Sequence, residues 1–94
     1  MTEYEELIGI FTSTTDPKKM EKLFEELLTP HERDSVVLRW HLMKELYQGV
    51  SQRTIAANHN ISLCKITRGS KILKAQDSYC RKLLSDKFDD HLAL

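Results

Sequence analysis

Residues 52–71 read QRTIAANHNISLCKITRGSK, and this stretch predicts two short helices joined by a tight turn. Two helices that cross closely after a short turn need a small residue at the crossing and apolar residues packed on both sides of it. The segment supplies each of these features, in the order Ile55, Ala56, Asn60, Ile61 and Ile66. The spacing therefore favours a helix-turn-helix that reads DNA, although an ordinary helical hairpin within a bundle has a similar pattern.

The remainder of the 94 residues also predicts helices, so the expected fold class is all-α in a single domain. Only three Gly and two Pro interrupt the chain, and no strand-like alternation stands out. Thr29 and Glu32 have the spacing of a capping box, and Gly49 is placed to end the helix that follows. The predicted helices cover residues 3–12, a segment from 17, residues 30–48, 51–58 and 63–75, and a last amphipathic segment around 79–88.

Charge is distributed unevenly along the chain, although the net charge is zero. Residues 1–34 carry four Lys and Arg against nine Asp and Glu, whereas residues 39–74 carry seven Lys and Arg against one Glu. A concentrated basic block is typical of proteins that bind nucleic acid, because each cation near a phosphate releases a counterion. A solvated basic face that balances the acidic flanks explains the same distribution.

Several classes of function find no support in the sequence. Cys64 and Cys80 form no CxxC motif, and the four histidines do not pair with them at zinc-site spacing, so no metal site is expected. No paired carboxylates, nucleophile–base set or phosphate loop is visible, which argues against an enzyme and against catalytic residues. With neither a signal peptide nor a membrane-spanning apolar run, a cytoplasmic protein without a membrane partner is expected.

The second helix of the 52–71 segment is expected to turn its outward residues toward the major groove of double-stranded DNA. Leu63 would contact thymine methyl groups there, although packing against a neighbouring side chain accounts for it equally well. Gln52, Arg53 and Lys74 are expected to contact phosphates, which fix the register of the protein on the duplex. The predicted DNA-binding residues are Gln52, Arg53, Leu63, Cys64, Lys65, Thr67, Ser70, Lys71 and Lys74.

A homodimer is expected because a domain of this size has a marginal core and because the predicted helix 30–48 is apolar around much of its girth. A helix of that kind is buried on more than one side, as in a dimer core. The same apolar helix also fits an alternative function, in which a helical dimer acts as an adaptor between other proteins.

Three motifs give the chain a specific resemblance: LLTPHER (27–33), LRWHLMKEL (38–46), and GVSQR (49–53) followed by ITRGSKILK (66–74). Together they resemble the tryptophan repressor family over about residues 23–76. The resemblance implies an intertwined homodimer in which each chain, 1–94, is a single domain. Within the chain, residues 1–48 and 76–94 would form the dimer core, and residues 51–75 would form a helix-turn-helix reading head. The resemblance also implies a transcriptional repressor that binds a palindromic operator when L-tryptophan sets the spacing of its heads.

The resemblance further implies a site for L-tryptophan as co-repressor, with no other cofactor. Arg39 and Arg68 would lie on opposite faces of the indole, and one guanidinium would also meet the ligand carboxylate. Without the resemblance, surface ion pairing or phosphate contact is the simpler role for these two arginines. The other implied ligand contacts are Gly69, which leaves room for the ring, Thr29 with the carbonyls of Glu26 and Leu28 at the amino group, and Ile72 in the pocket wall.

Ile72 is also where the chain departs from the family pattern, which usually has a small hydroxyl residue at this position. A bulkier apolar wall is able to change affinity or exclude ligand analogues. The alternative function is therefore a helix-turn-helix regulator that binds DNA constitutively or senses a different metabolite.

Overall fold

The computed structural model describes residues 1–89 and contains six α-helices and no strand in that range, which confirms the all-α prediction. Residues 90–94, part of the predicted core segment 76–94, lie outside the described residues. None of the helices in the described part of the chain is long and apolar enough to cross a membrane. The helices are α1 (Glu3–Ser13), α2 (Pro17–Leu27), α3 (Pro30–Tyr47), α4 (Gln52–His59), α5 (Leu63–Lys74) and α6 (Tyr79–Phe88).

The chain divides into two compact units, the first spanning Met1–Ser35 and the second starting at Val36. In the first unit, the rings of Phe11 on α1 and Phe24 on α2 pack with their centroids 5.6 Å apart. Nevertheless, no side chain within α1 or α2 is buried. The predicted division into a dimer core and a reading head concerns the assembled dimer and stays a prediction.

The start of α3 has the predicted capping box. The Glu32 amide donates to Thr29 Oγ1 at 3.2 Å, and the Thr29 amide donates to Glu32 Oε1 at 2.8 Å. The hydrogen bond from the Thr29 amide holds the pKa of the Glu32 carboxyl below its usual value, because it stabilises the charged form. Two backbone donors that the helix itself leaves unpaired are thereby satisfied, which fixes where α3 begins.

The end of α3 is set by Gly49, as the sequence predicts. Its φ of 92° lies in the left-handed region, where a residue with a Cβ is strained. The Val50 amide donates to the Glu45 carbonyl at 3.0 Å, and the Gly49 amide donates to the Leu46 carbonyl at 3.1 Å. This pair of bonds is the Schellman motif, which ends the helix and directs the chain toward α4.

Two apolar clusters hold the second unit together. In the first, Leu42 of α3, Ile55 of α4 and Ile66 of α5 are buried against one another, with Ile61 from the turn packed beside them. Ile55 and Ile66 are fully buried, so the inward positions predicted for them are confirmed. The two helices predicted from residues 52–71 therefore pack on each other and on the second half of α3.

The second cluster attaches α6 and consists of Met43, Leu73 and Leu84, one each from α3, α5 and α6. At its edge, the Tyr47 hydroxyl donates a hydrogen bond of 2.6 Å to Asp89 Oδ2. The bond to this carboxylate raises the pKa of the Tyr47 hydroxyl, because it favours the protonated phenol. Together the two clusters pack α5 against α3 at two places, near the start of α5 at Ile66 and near its end at Leu73.

The turn between α4 and α5 depends on Asn60, which has φ 52° and ψ 49°. Asparagine tolerates this left-handed conformation better than other residues that carry a Cβ, because its short polar side chain bonds locally. The Ile61 amide then donates to the Ala56 carbonyl at 3.2 Å and closes the end of α4. Ser62, with extended backbone angles, precedes the first residue of α5.

Replacement of Asn60 by valine is expected to destabilise the protein by about 1–2 kcal/mol, because a β-branched residue is strained at positive φ. Asn60→Gly should leave the stability close to that of the parent, since glycine adopts this conformation freely. Urea denaturation followed by circular dichroism at one protein concentration measures both. The control is Asn58→Val in α4, which is exposed and helical and should cost about 0.5 kcal/mol or less. Equal stability of Asn60→Val and the parent would contradict the assignment of the turn.

Candidate ligand cleft and nucleic-acid interface

A cleft of about 80 Å³ lies between α3 and α5 in the second unit. Four of the residues predicted to contact a ligand, Arg39, Arg68, Gly69 and Ile72, line it together. The remaining lining residues are Leu42, Met43 and Lys65. The fold thus brings the two arginines, which lie 29 positions apart in the sequence, to the walls of one cleft.

The size of the cleft limits what enters it without rearrangement. Sites that enclose a whole small molecule usually have about 300–1,000 Å³, so about 80 Å³ is too small for an aromatic amino acid. Arg39 and Arg68 are both exposed, and their long side chains are able to swing aside. Occupation by such a ligand therefore requires these side chains to move. If their movement does not open enough volume, α5 must move away from α3 as well.

Gly69 is buried at the point where α5 comes close to α3. A Cβ added here would lie 3.4 Å from Met43 Cγ and 3.5 Å from Leu46 Cδ1. These are ordinary van der Waals distances, so alanine fits, whereas a larger side chain would push the two helices apart. The absence of a side chain at Gly69 thereby leaves room at the floor of the cleft.

The other three predicted ligand residues, Glu26, Leu28 and Thr29, belong to the first unit. Glu26 lies in the last turn of α2, whose final residue is Leu27, and Leu28 follows with an extended backbone. The Thr29 hydroxyl accepts the capping bond from the Glu32 amide. Whether the carbonyls of Glu26 and Leu28 hold a ligand ammonium group stays a prediction.

The outer face of α5 carries most of the residues predicted to bind DNA. An open groove on it is lined by Cys64, Thr67, Arg68, Lys71 and Ile72. The exposed members of the predicted set are Arg53, Leu63, Cys64, Lys65, Thr67, Lys71 and Lys74, whereas Gln52 and Ser70 are half-buried.

This face presents both an apolar side chain, Leu63, and a polar one, Gln52. Leu63 is 48% exposed, so packing on a neighbour covers only about half of it. The Thr67 hydroxyl donates to the Leu63 carbonyl at 2.9 Å and lies 3.4 Å from Gln52 Oε1. Gln52 at the start of α4 is thereby held beside the first turns of α5.

The basic residues of this region carry charge that is not neutralised locally. Among residues 1–89, the one Lys or Arg in an ion pair is Lys82, with Asp86, and Glu45 contacts only His41 and His59. No Lys or Arg between positions 39 and 74 is therefore paired within that range. Within that part of the chain, surface ion pairing therefore does not account for Arg39 or Arg68. Their guanidinium groups remain available for an anionic partner.

Comparison of the sequence with known proteins matches most of it to one family. The family model described as Trp repressor protein matches residues 2–87 of the chain. The chain belongs to the Trp repressor family. This membership confirms the resemblance based on the motifs between residues 27 and 74 and supports a role as a repressor in transcription regulation.

Individual relatives of the Trp repressor family extend the match. A protein of Vibrio parahaemolyticus serotype O3:K6 named Trp operon repressor homolog is 33% identical over 75 residues, which cover 79% of this chain and 73% of the relative. A protein of Chlamydia trachomatis serovar L2 with the same name is 37% identical over 68 residues, covering 71% of this chain and 72% of the relative. No solved structure gives a significant match.

Two features of this member of the Trp repressor family escaped the sequence analysis. Lys65 was predicted only as a DNA contact, yet it also lines the cleft. The signal that could have revealed this was its spacing from Arg68, Gly69 and Ile72, at i+3, i+4 and i+7, which places all four residues on one face of the helix.

The second unpredicted feature is a cluster of His41, Glu45 and His59 where α3 meets the end of α4. His59 Nε2 lies 2.8 Å from Glu45 Oε1, and His41 Nε2 contacts the same oxygen. These contacts, that of His59 first, hold the pKa of the Glu45 carboxyl below its usual value. The i, i+4 spacing of His41 and Glu45 was visible in the sequence, whereas their proximity to His59 arises only in the fold.

Proposed function

We propose that the protein is a tryptophan-dependent transcriptional repressor, which binds a palindromic operator as a homodimer when L-tryptophan occupies the cleft. The observation that carries this proposal is the cleft between α3 and α5, with Arg39 on one helix and Arg68 on the other. A guanidinium group stacks on a flat aromatic ring and also pairs with a carboxylate through two parallel N–H groups. Two arginines at one apolar cleft therefore suit an aromatic amino acid.

The ligand would be oriented by three kinds of contact. Arg39 and Arg68 stack on the indole, and one of them binds the carboxylate, while Leu42 and Met43 contact the ring edge. The ammonium group meets the carbonyls of Glu26 and Leu28 and the Thr29 hydroxyl, because the C-terminal end of a helix favours a cation. Ile72 forms the remaining wall and sets the size of ring that is accepted.

The ligand would control DNA binding because the cleft joins the reading helix α5 to α3. Occupation moves α5 with respect to α3 until the two reading helices of the dimer match successive major grooves, about 34 Å apart. Tryptophan shifts this balance only by the difference between its affinities for the two arrangements. Reciprocity requires that operator DNA tighten tryptophan binding by the same factor.

DNA would be read by the exposed face of α5. Leu63, Cys64, Lys65 and Thr67 belong to its first two turns and would face base edges in the major groove, with Leu63 against thymine methyl groups. The proposed contacts to phosphates and the flanking backbone come from Gln52, Arg53, Ser70, Lys71 and Lys74.

Homodimer formation is supported by apolar side chains that the single chain leaves exposed. Tyr4 of α1 is 74% exposed, and Val37 of α3 is 66% exposed. Since no side chain of α1 or α2 is buried, these helices gain little from the hydrophobic effect within one chain. A second copy that covers them supplies the missing burial, as obligate dimers do.

The test of the proposed function is a DNA titration with and without L-tryptophan. A palindromic duplex is first selected from a random-sequence pool with the protein and tryptophan present. Fluorescence anisotropy at fixed salt should then show affinity at least about tenfold higher with tryptophan, which corresponds to a coupling of about 1.4 kcal/mol. Equal affinity in both conditions would exclude the proposed gating. Absence of any salt-dependent DNA binding would favour the alternative function, in which the helical dimer is an adaptor between other proteins.

A second candidate, a regulator that senses another metabolite, is favoured by Ile72 and by the small volume of the cleft. Calorimetric titration with tryptophan, indole and other amino acids distinguishes the two. Tighter binding of another amino acid than of tryptophan would support this second candidate.

Arg53→Ala is expected to weaken binding to all DNA sequences by a similar factor, because the proposed partner of Arg53 is a phosphate. The slope of the logarithm of affinity against the logarithm of salt concentration should fall by about 1. The matched control is Arg81→Ala, an exposed arginine on α6 that is not among the proposed DNA contacts. A change of sequence preference in Arg53→Ala, with an unchanged salt slope, would contradict the phosphate assignment.

A further inference from the structure

His41, Glu45 and His59 form a compact group of potential metal ligands in the second unit. His41 and Glu45 lie one turn apart on α3, and His59 is the last residue of α4. Each offers one ligand atom, and the three atoms all lie within 4.8 Å of one another. The expectation of no metal rested on the spacing of cysteine and histidine along the chain, and this group contains no cysteine.

The three side chains converge on one point. Glu45 Oε1 lies 2.8 Å from His59 Nε2 and also contacts His41 Nε2. The two imidazole rings are 5.0 Å apart between centroids and are inclined at 77°. Rings inclined in this way direct both Nε2 atoms toward the same carboxylate oxygen instead of stacking face to face. This convergence is the arrangement that a shared cation needs.

The exposure of the three side chains increases from Glu45 to His59 to His41. The side chain of Glu45 is 16% exposed, that of His59 is 26% exposed, and that of His41 is 47% exposed. Glu45 and His59 are therefore held in place by the surrounding protein, and one side of the group faces solvent through His41. A cation bound here would have protein ligands on one side and room for water on the other.

We propose that His41, Glu45 and His59 bind a divalent zinc ion at the junction of α3 and α4. Two imidazole nitrogens and one carboxylate oxygen suit Zn²⁺, whereas Ca²⁺ and Mg²⁺ prefer oxygen ligands alone. With metal–ligand distances of about 2.0–2.2 Å, tetrahedral zinc needs its ligand atoms about 3.3 Å apart. Small side-chain rotations bring the three atoms to that spacing, and a water molecule takes the fourth position.

Zinc at this position would act as a crosslink between α3 and α4. The ion replaces the hydrogen bonds that Glu45 Oε1 makes with the two histidines and ties the end of α4 to the last turns of α3. The site uses none of the residues that line the Arg39–Arg68 cleft, so it does not rest on the proposed tryptophan-dependent function. Binding of zinc and binding of tryptophan are therefore separately testable.

The test is a titration of the chelator-treated, full-length protein with zinc chloride, in competition with a chromophoric chelator. We expect one Zn²⁺ per chain, with affinity at least tenfold lower in His59→Gln and in His41→Gln. Because His41 is the most exposed of the three, His41→Gln should fold as the parent does, which circular dichroism verifies. The matched control His31→Gln replaces an exposed histidine outside the group and should bind zinc like the parent.

A second readout is thermal stability. A ligand that binds only the folded state raises the midpoint of unfolding, so zinc at about 100 times its dissociation constant should raise it by several degrees in the parent and in His31→Gln. His41→Gln should lose most of this rise. Absence of stoichiometric binding by the parent would overturn the proposal. Zinc affinity that His41→Gln and His59→Gln both retain would also overturn it, because another group such as Cys64 would then be the ligand.

Discussion

Replacement of Ile66 by alanine is expected to destabilise the protein by about 2–5 kcal/mol, because it removes buried methyl groups and leaves a cavity. Ile66 is fully buried and packs with Ile55 and Leu42, so the loss falls on the contact that joins α5 to α4 and α3. Domains of this kind have a total stability of about 5–15 kcal/mol. The variant should therefore keep only part of this stability, and a larger fraction of it should be unfolded and unable to bind DNA than in the parent.

Urea denaturation followed by circular dichroism measures this effect, with all variants at one concentration because the stability of a dimer depends on it. The matched control is Leu63→Ala on the same helix, whose side chain is 48% exposed and which should cost about 0.5 kcal/mol or less. Ile66→Val should fall between them, at about 0.5–1.5 kcal/mol. If Ile66→Ala were as stable as Leu63→Ala, the packing of α4 and α5 described above would be wrong.

The helix boundaries were predictable from the sequence because they depend on local signals. The capping box of Thr29 and Glu32 and the glycine at position 49 are recognised from a few neighbouring residues, and α3 begins and ends where they indicate. The ends of α1, α3 and α5 differ from the predicted ones by a single residue, at Ser13, Tyr47 and Lys74. Both ends of α4 lie one residue later than predicted, at Gln52 and His59. Helix ends fray, so differences of this size are expected.

The candidate sites were less predictable because they depend on residues that are distant in the sequence. Nothing in the local sequence of Arg39 or Arg68 distinguishes a ligand contact from a phosphate contact, and only the resemblance to the Trp repressor family favoured the first. The metal-ligand group was missed for the same reason. Glu45 and His59 are 14 positions apart, and their contact requires the Gly49 turn and the packing of α4 on α3.

Replacement of Arg39 by alanine is expected to lower the affinity for L-tryptophan by about 10- to 100-fold, since a hydrogen bond to a charged group contributes about 1.5–3 kcal/mol. Arg39 lies on α3 and is not among the proposed DNA contacts, so its loss should remove the tryptophan-dependent increase in operator affinity. Arg39→Lys should recover little of this affinity, because an ammonium group keeps the charge but loses the planar stacking surface. Calorimetry on the protein without DNA measures the first effect, and anisotropy with the selected duplex measures the second.

Arg53→Ala provides the opposite case, because it removes a proposed phosphate contact at the start of α4 and leaves the cleft intact. Its affinity for tryptophan in the absence of DNA should equal that of the parent, while its affinity for the duplex falls. Reciprocal coupling adds a stricter requirement: the factor by which tryptophan tightens DNA binding must equal the factor by which the duplex tightens tryptophan binding. If Arg39→Ala bound tryptophan like the parent, Arg39 would not be a contact of the ligand, and the two-arginine site would be wrong. The basic face of α5 would then remain as a DNA-binding surface without the proposed control.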